Sequence, residues 1–258
     1  MGNVIAIVNQ KGGVGKTTTA VNLAASLAAI EKKVLIIDFD PQGNATSGVN
    51  VDKSALKHNI YTMLAGESTL AEAVIQCELP TLHLVPGTRD LAAAEVELVG
   101  EDQREYVLKS TLKNQLDAYD YVFIDCPPSL SLLTINALTA ADGVIIPIQA
   151  EYYALEGVRD LMSTIEMVRS SLNPDLEITG VLMTMFDERT NLSNQVLSDV
   201  KSYFADTLYS TIVPRNVRLS EAPSFGKPAM LHDIKSKGAQ AYLKLAKEFL
   251  NGEKVGAR

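Results

Sequence analysis

Tryptophan is missing from these 258 residues and aromatics make up only 6% of them, so the interior has to be packed with aliphatic side chains. Two cysteines, Cys77 and Cys126, are too few for a disulfide framework. The three histidines, His58, His83 and His232, have no metal-ligand spacing. No apolar run approaches the ~20 residues that a bilayer-spanning helix needs. The opening "MGNVIAIVNQ" has neither a basic n-region nor a cleavage site, and Ala6 breaks the myristoylation pattern. A reduced, cytoplasmic protein without a metal cluster is expected. Internal repeats, low-complexity tracts and Pro/Gly/Ser-rich linkers are lacking too, which predicts a single domain over residues 1–258.

Positive charge is also in short supply, with a net charge of −8. Phosphate binding needs only a local basic surface, so distribution matters more than the sum. Between Arg189 and Lys237, seven basic residues stand against four acidic ones, a local balance of +3. On composition alone this is an ordinary solvated helical surface.

What the chain does have is rhythm. Apolar, β-branched runs at 4–9, 33–40, 82–86, 121–126, 143–149, 178–185 and 208–214 read as strands, most of them apolar on both faces. Helix candidates lie between or after them at 17–30, 101–118, 130–141, 154–172, 192–205 and 237–250. The alternation predicts an α/β fold, a doubly wound and mostly parallel sheet with helices on both faces. Segment 41–81 is less regular and is expected to decorate one edge with short helices.

Ligands of such sheets collect beyond the carboxyl ends of the strands, and three chemically pointed sequences fall there. The first is "QKGGVGKTT", residues 10–18, between a strand and a helix. It ends as a phosphate-binding loop should, on Gly15, Lys16 and Thr17, but Gln10 stands where the usual pattern has glycine. Gly12, Gly13 and Gly15 permit close backbone approach, and the N–H groups of Lys11 to Thr18, Val14 included, would face phosphates at the helix N-terminus. Lys16 is expected at the β- and γ-phosphates and the Thr17 hydroxyl on Mg²⁺. The second is "LIIDFDPQGN", in which Asp38 and Asp40 emerge from a buried strand toward a turn. Carboxylates beside a polyphosphate can hold a hydrated metal or orient an attacking water. The third is "YVFIDCPPS", a Walker B pattern that ends on Asp125, with Pro127 and Pro128 stiffening the exit. Cys126 reads as a small buried residue, since no histidine lies nearby in the sequence. Together the three features predict nucleotide hydrolysis with Mg²⁺; the ATP specificity comes from the resemblance that follows.

With "KGGVGKTTTAVNLA", "DFDPQGNATSG", "IDCPPSLSLLTINAL", "EYYALEG", "DERTNLS" and "VPRNVRLSEAPSFGKP" in this order, residues 3 to 250 resemble the ParA/Soj chromosome- and plasmid-partition ATPases. These belong to the deviant Walker A, MinD-like group of P-loop proteins. The resemblance implies a role for Lys11 as a lysine that crosses an ATP-sandwich homodimer to the partner's phosphates. It makes Lys16 the lysine acting within its own subunit, Thr17 the magnesium ligand, Asp40 the group that positions water and Asp125 the support of the metal. Pro214 and Asn216 fall where adenine is contacted, and Asp38 is secondary. Arg189 and Arg218 match arginines that bind double-stranded DNA without sequence preference. A centromere-binding partner of the ParB/Spo0J type, which stimulates hydrolysis, and a nucleoid-associated location in the cytoplasm are implied as well. The chain starts at its first strand, so no N-terminal helix-turn-helix for operator binding is expected.

Two rival readings fit these residues less well. A MinD-like membrane switch needs a basic amphipathic C-terminal helix, but Tyr242, Leu245, Ala246 and Phe249 read as a core-facing stripe followed only by "NGEKVGAR". No membrane partner is therefore expected. A reductase of the nitrogenase iron-protein kind needs cluster-ligating cysteines, a role that Cys77 and Cys126 suit poorly.

Overall fold

In a computed structural model, residues 2–152 and 154–252 are described, and the side chain of residue 156 is left aside. Tyr153 of "EYYALEG" and the tail after Gly252 lie outside the described residues. The strands are β1 Asn3–Ile7, β2 Val34–Asp38, β3 Ile75–Gln76, β4 Leu82–Val85, β5 Tyr121–Asp125, β6 Gly143–Gln149 and β7 Glu177–Thr184. They form one sheet in the order β3-β4-β2-β5-β1-β6-β7. All neighbouring pairs are parallel except β3–β4, which is antiparallel at the edge.

Side-chain alternation divides the interior into two apolar layers. From β1, Val4 and Ala6 enter one layer and Ile5 and Ile7 the other. From β2, Leu35 and Ile37 join the first and Val34 and Ile36 the second. Burial on both faces is why these strands read as continuous apolar runs. Helix Lys16–Ala28 packs in the second layer, where Ala20, Leu23, Ala24 and Leu27 are completely buried. Its small residues let helix Lys237–Asn251 lie close, with Tyr242, Leu245 and Ala246 buried beside it.

Several expectations need correction. Residues 208–214 form no strand: they meet β7 and its extension at isolated bridges, Leu208 to Val181 and Pro214 to Phe186, and through the Val213 N–H, which donates to the Met183 carbonyl at 2.9 Å. The ladder fails because the N–H groups of Ser210 and Thr211 are taken by the Glu248 carboxylate, at 2.5 and 2.9 Å. The helix expected over 101–118 is reduced to Val107–Leu112 after a short 3₁₀ turn. Gln103 and Asn114 adopt left-handed backbone on either side of it, a conformation that interrupts a right-handed helix. The helix expected from 130 begins at Leu132, behind Ser131. In the irregular segment 41–81, short helices do form at Asn44–Gly48, Ile60–Leu64 and Leu70–Ala73. β3, only two residues long, had no legible signal.

Gly180 of β7 lies under the buried ring of Tyr209, and a Cβ there would come within 2.1 Å of that ring. Gly180→Ala is expected to lower stability by about 1–3 kcal/mol through overpacking, read from chemical denaturation. An unchanged denaturation midpoint would show that the ring moves aside freely.

Candidate functional site

Three adjacent strands carry the three predicted sequences to one place. β5 lies between β1 and β2, with Asp125 in register with Ile7 on one side and with Asp38 on the other. The loop that follows β1 therefore leaves the sheet beside both carboxylate-bearing strand ends.

The loop turns tightly, with Gly13 at φ 76° and Gly15 at φ 92°, values that suit glycine. Gly12, Gly13, Gly15, Lys16, Thr17 and Thr18 line a hollow of about 270 Å³, together with Asp40, Gln42, Asn44 and Pro128. Val14 points away, its side chain buried and its carbonyl accepting a 2.8 Å hydrogen bond from the Thr184 hydroxyl. The Lys16 ammonium is buried and donates to the Lys11 carbonyl at 3.0 Å. Burial lowers its pKa, and the charge of Asp125 works against that fall.

Lys11 takes another course. Its side chain, still 37% exposed, forms an ion pair with Glu151, which precedes helix Ala154–Ser171. Gln10 is tied to the same region, its side-chain amide donating to the Gly157 carbonyl at 2.7 Å. Asn9 anchors the loop on β6, donating to the Pro147 carbonyl at 2.8 Å and accepting from the Lys11 N–H at 2.9 Å. The residue in the place of the expected glycine is thus a fastening.

The acidic strand ends are dry. Asp38 and Asp125 are fully buried, and burial pushes both carboxyls up, Asp38 to about 6 and Asp125 well above the ordinary range. Their mutual repulsion raises Asp125 further, while Thr17 and Lys16 pull it down. Asp38 has one satisfied oxygen, which receives the Thr46 N–H at 2.7 Å and the Thr46 hydroxyl at 2.6 Å. That hydroxyl in turn accepts the Gly87 N–H at 2.9 Å. Among the described residues, no donor satisfies either Asp125 oxygen or the second oxygen of Asp38. Orphaned carboxylate oxygens below the Thr17 hydroxyl make a hard-oxygen donor set, and the residues present fit a hydrated magnesium ion. Asp40 sits at the edge of the hollow, where its carboxylate accepts the Gln42 N–H at 2.9 Å.

A second hollow of about 470 Å³ adjoins the first through Gly15, Thr18 and Met185. Pro214 and Asn216 line it, and so do Val213 and Tyr242. The Asn216 carboxamide oxygen caps helix Val217–Glu221 by accepting the Arg218 N–H at 3.1 Å, which leaves the amide nitrogen as the half available to a ligand. Met185, Tyr242 and Glu151 escaped the sequence reading. A left-handed backbone at a non-glycine residue marks Met185 only once the fold is known. Tyr242 was hidden by its core-like spacing, and Glu151 was visible only as one letter of "EYYALEG".

Arg189 and Arg218 lie outside both hollows and are exposed. Arg189 forms two bonds to Asp187, at 2.8 and 2.6 Å, and Arg218 pairs with Glu221 at 2.7 Å and Asp233 at 3.4 Å.

A family described as "AAA domain" matches residues 2–178. The chain is 55% identical to the sporulation initiation inhibitor protein Soj of Bacillus subtilis, covering 96% of this chain and 98% of that one. It is 54% identical to the chromosome partitioning protein ParA of Myxococcus xanthus, over 97% of this chain and 88% of that one. Among solved structures, cobyrinic acid a,c-diamide synthase from Mycobacterium smegmatis with bound ATP analog and magnesium is similar, with a TM-score of 0.86 and 37% identity. That alignment covers 99% of this chain and 98% of the other.

The raised pKa of Asp38 has a signed consequence. The folded carboxyl keeps its proton up to about 6, well above the ordinary aspartate range. The native state therefore binds more protons in that window and loses stability as pH rises through it. Asp38→Asn is expected to stabilise the nucleotide-free protein near pH 7.5 by on the order of 1–3 kcal/mol, and by less near pH 5. Thermal unfolding at the two pH values checks this, and an equal gain at both would remove ionisation as the cause.

Proposed function

The chain belongs to the ParA/Soj family of chromosome-partitioning ATPases, and we propose that it works as an ATP-gated DNA-binding dimer. On this reading residues 1–258 act as one P-loop domain that hydrolyses ATP with Mg²⁺. The triphosphate lies in the hollow lined by Gly12, Gly13, Gly15, Lys16, Thr17 and Thr18, and adenine lies against Pro214 and Asn216. Thr17 and Asp125 hold the metal, which supplies charge neutralisation at the phosphates. Asp40, at the rim of the hollow, orients the attacking water. The higher identity to partition proteins favours this activity over that of the amide-forming enzyme.

One observation carries the proposal: the two lysines of the loop are sent in different directions. Lys16 is buried beside its own hollow, whereas Lys11 is half-exposed and pairs with Glu151 outside it. A cation that stands clear of its own site is suited to a neighbour's, where it would stabilise charge on the transferring phosphoryl group. Lys11 then has to leave Glu151 as two subunits close, and bound ATP becomes part of the interface.

On the same reading, Arg189 and Arg218 bind DNA without sequence preference. Arg189 and Arg218 each have to exchange a carboxylate for a phosphate, so one subunit offers few and weakened contacts. A dimer doubles them on a single surface, which makes retention depend on ATP. Hydrolysis, stimulated by a centromere-binding protein of the ParB/Spo0J type, returns the monomer and releases the nucleoid within the cytoplasm. The membrane-switch alternative gains no support from the last described helix, whose apolar face is occupied by helix Lys16–Ala28. Among the described residues, no helix is long and apolar enough to cross a membrane.

Lys11→Ala is expected to keep nucleotide binding but to lose the ATP-dependent dimer in sedimentation, whereas Lys16→Ala weakens nucleotide binding within each monomer. Normal dimerisation of Lys11→Ala would remove its role in the partner site. DNA retention is expected with ATP and not with ADP, with a log–log salt slope of about −1 for each phosphate contact. Arg189→Ala combined with Arg218→Ala should abolish retention and spare the dimer, and equal retention with ADP and ATP would refute the gating.

A further inference from the structure

The turn that follows β2 carries Asp40 and Gln42 to the rim of the hollow lined by the glycine loop. Within this turn the shape is set locally. The Gly43 N–H donates to the Asp40 carbonyl at 2.8 Å, and the Gln42 N–H to the Asp40 carboxylate at 2.9 Å. Gly43 supplies the left-handed backbone, φ 61°, from which helix Asn44–Gly48 starts. Bonds of this kind give a turn its shape and leave its position on the molecule open.

Position comes from the next segment, which doubles back. Asn50 is left-handed at φ 65°, and the Val51 N–H donates to the Thr46 carbonyl at 3.2 Å. Thr46 is itself fastened to the buried Asp38, so the returning chain has a fixed base. A single 3₁₀ turn, Lys53–Ala55, follows. Asp52 caps it, accepting the Ser54 N–H at 2.9 Å and the Ser54 hydroxyl at 2.7 Å, and is thereby committed.

The Lys53 ammonium reaches back over the Asp40 turn. It donates to the Gln42 carbonyl at 2.9 Å and to the Gly43 carbonyl at 3.2 Å. Gly43 leaves room for the lysine stem, since a Cβ there would stand 2.9 Å from the Lys53 Cδ and 2.5 Å from the Gly87 carbonyl. The clamped peptides join Gln42 to Asn44, and both of those residues line the hollow. An ammonium shared between two carbonyls makes charge-assisted bonds, which are stronger than neutral ones.

We infer that Lys53 is a positioning residue for hydrolysis: by holding the Gln42 and Gly43 carbonyls it sets where Asp40 stands relative to the phosphates. The inference rests on the reading of Asp40 as the group that orients water. Without the clamp the turn still forms but is free to shift, and a displacement of about 1 Å at a reacting group costs on the order of 10²-fold in rate. Nucleotide binding is spared, because the glycine loop is held by Asn9 and Thr184 instead.

The test uses the full chain with ATP and Mg²⁺ under single-turnover conditions, with ATP affinity measured separately. Lys53→Met keeps the stem and removes the donor. It is expected to bind ATP as the unaltered chain does and to hydrolyse it roughly tenfold or more slowly. Lys53→Arg, which can still donate to both carbonyls, should restore most of the rate. Adding Lys53→Met to Asp40→Asn should slow hydrolysis no further than Asp40→Asn alone, since both act through one group. Normal hydrolysis by Lys53→Met beside slow hydrolysis by Asp40→Asn would overturn this assignment alone. Normal hydrolysis by Asp40→Asn would remove the reading of Asp40, and the assignment with it. Additive losses in the double variant, no recovery with arginine, or a loss of ATP affinity or of the ATP-dependent dimer that matches the loss of rate would each reduce Lys53 to a structural role and overturn it too.

Discussion

Asp38 and Asp125 face each other across two hydrogen-bonded strands, both dehydrated and with the Lys16 ammonium buried beside them. Dry carboxylates disfavour their own charge, so the carboxyl end of the sheet is held in a costly state. The arrangement persists because the apolar layers on both faces are closed around β1, β2 and β5, and these strands cannot part to admit water. The surrounding loops are fastened accordingly. Thr46 satisfies one oxygen of Asp38 and its hydroxyl in turn accepts the Gly87 N–H, while the turn after Asp40 is fixed by Gln42.

Behind this centre a second set of polar contacts holds the hollow that Pro214 and Asn216 line. Glu248 takes the backbone of Ser210 and Thr211, while Tyr242 meets Thr19 at 3.1 Å from the same helix. Asn22 joins Thr18 to Ala229, donating at 2.8 Å and accepting at 2.7 Å. The last helix therefore braces the segment that a strand would otherwise have held. Such a buried carboxylate, fully hydrogen-bonded, replaces a sheet ladder without leaving backbone groups unsatisfied.

The parallel sheet was legible because buried strands are apolar on both faces, as "VLIID" and "YVFID" are. The phosphate loop was legible because glycines and lysine at fixed spacing leave few other uses. What sequence could not supply was order in space. Nothing in "LYSTIVP" announces that Glu248, far along the chain, will take its N–H groups and stop it from pairing. Gln10 looked like a defect of the loop, and only the approach of Gly157 makes it a tether. Arg189 and Arg218 stand out in the sequence by resemblance alone, and local carboxylates hold both. The Glu248 and Gln10 contacts join residues that meet only after folding, and periodicity carries no trace of them, whereas Arg218 and Glu221 stand at i,i+3 and Arg189 lies two residues from Asp187.

The bond from the Lys16 ammonium to the Lys11 carbonyl has one more consequence. A free lysine carries several rotamers, and ordering it on a ligand costs conformational entropy. Here the side chain is already immobilised, and its proton donor rests on an oxygen of its own loop. On the proposed reading, a phosphate oxygen exchanges with that carbonyl, and no wandering cation has to be caught. On that reading, the affinity of the site is spared the ordering term of this side chain.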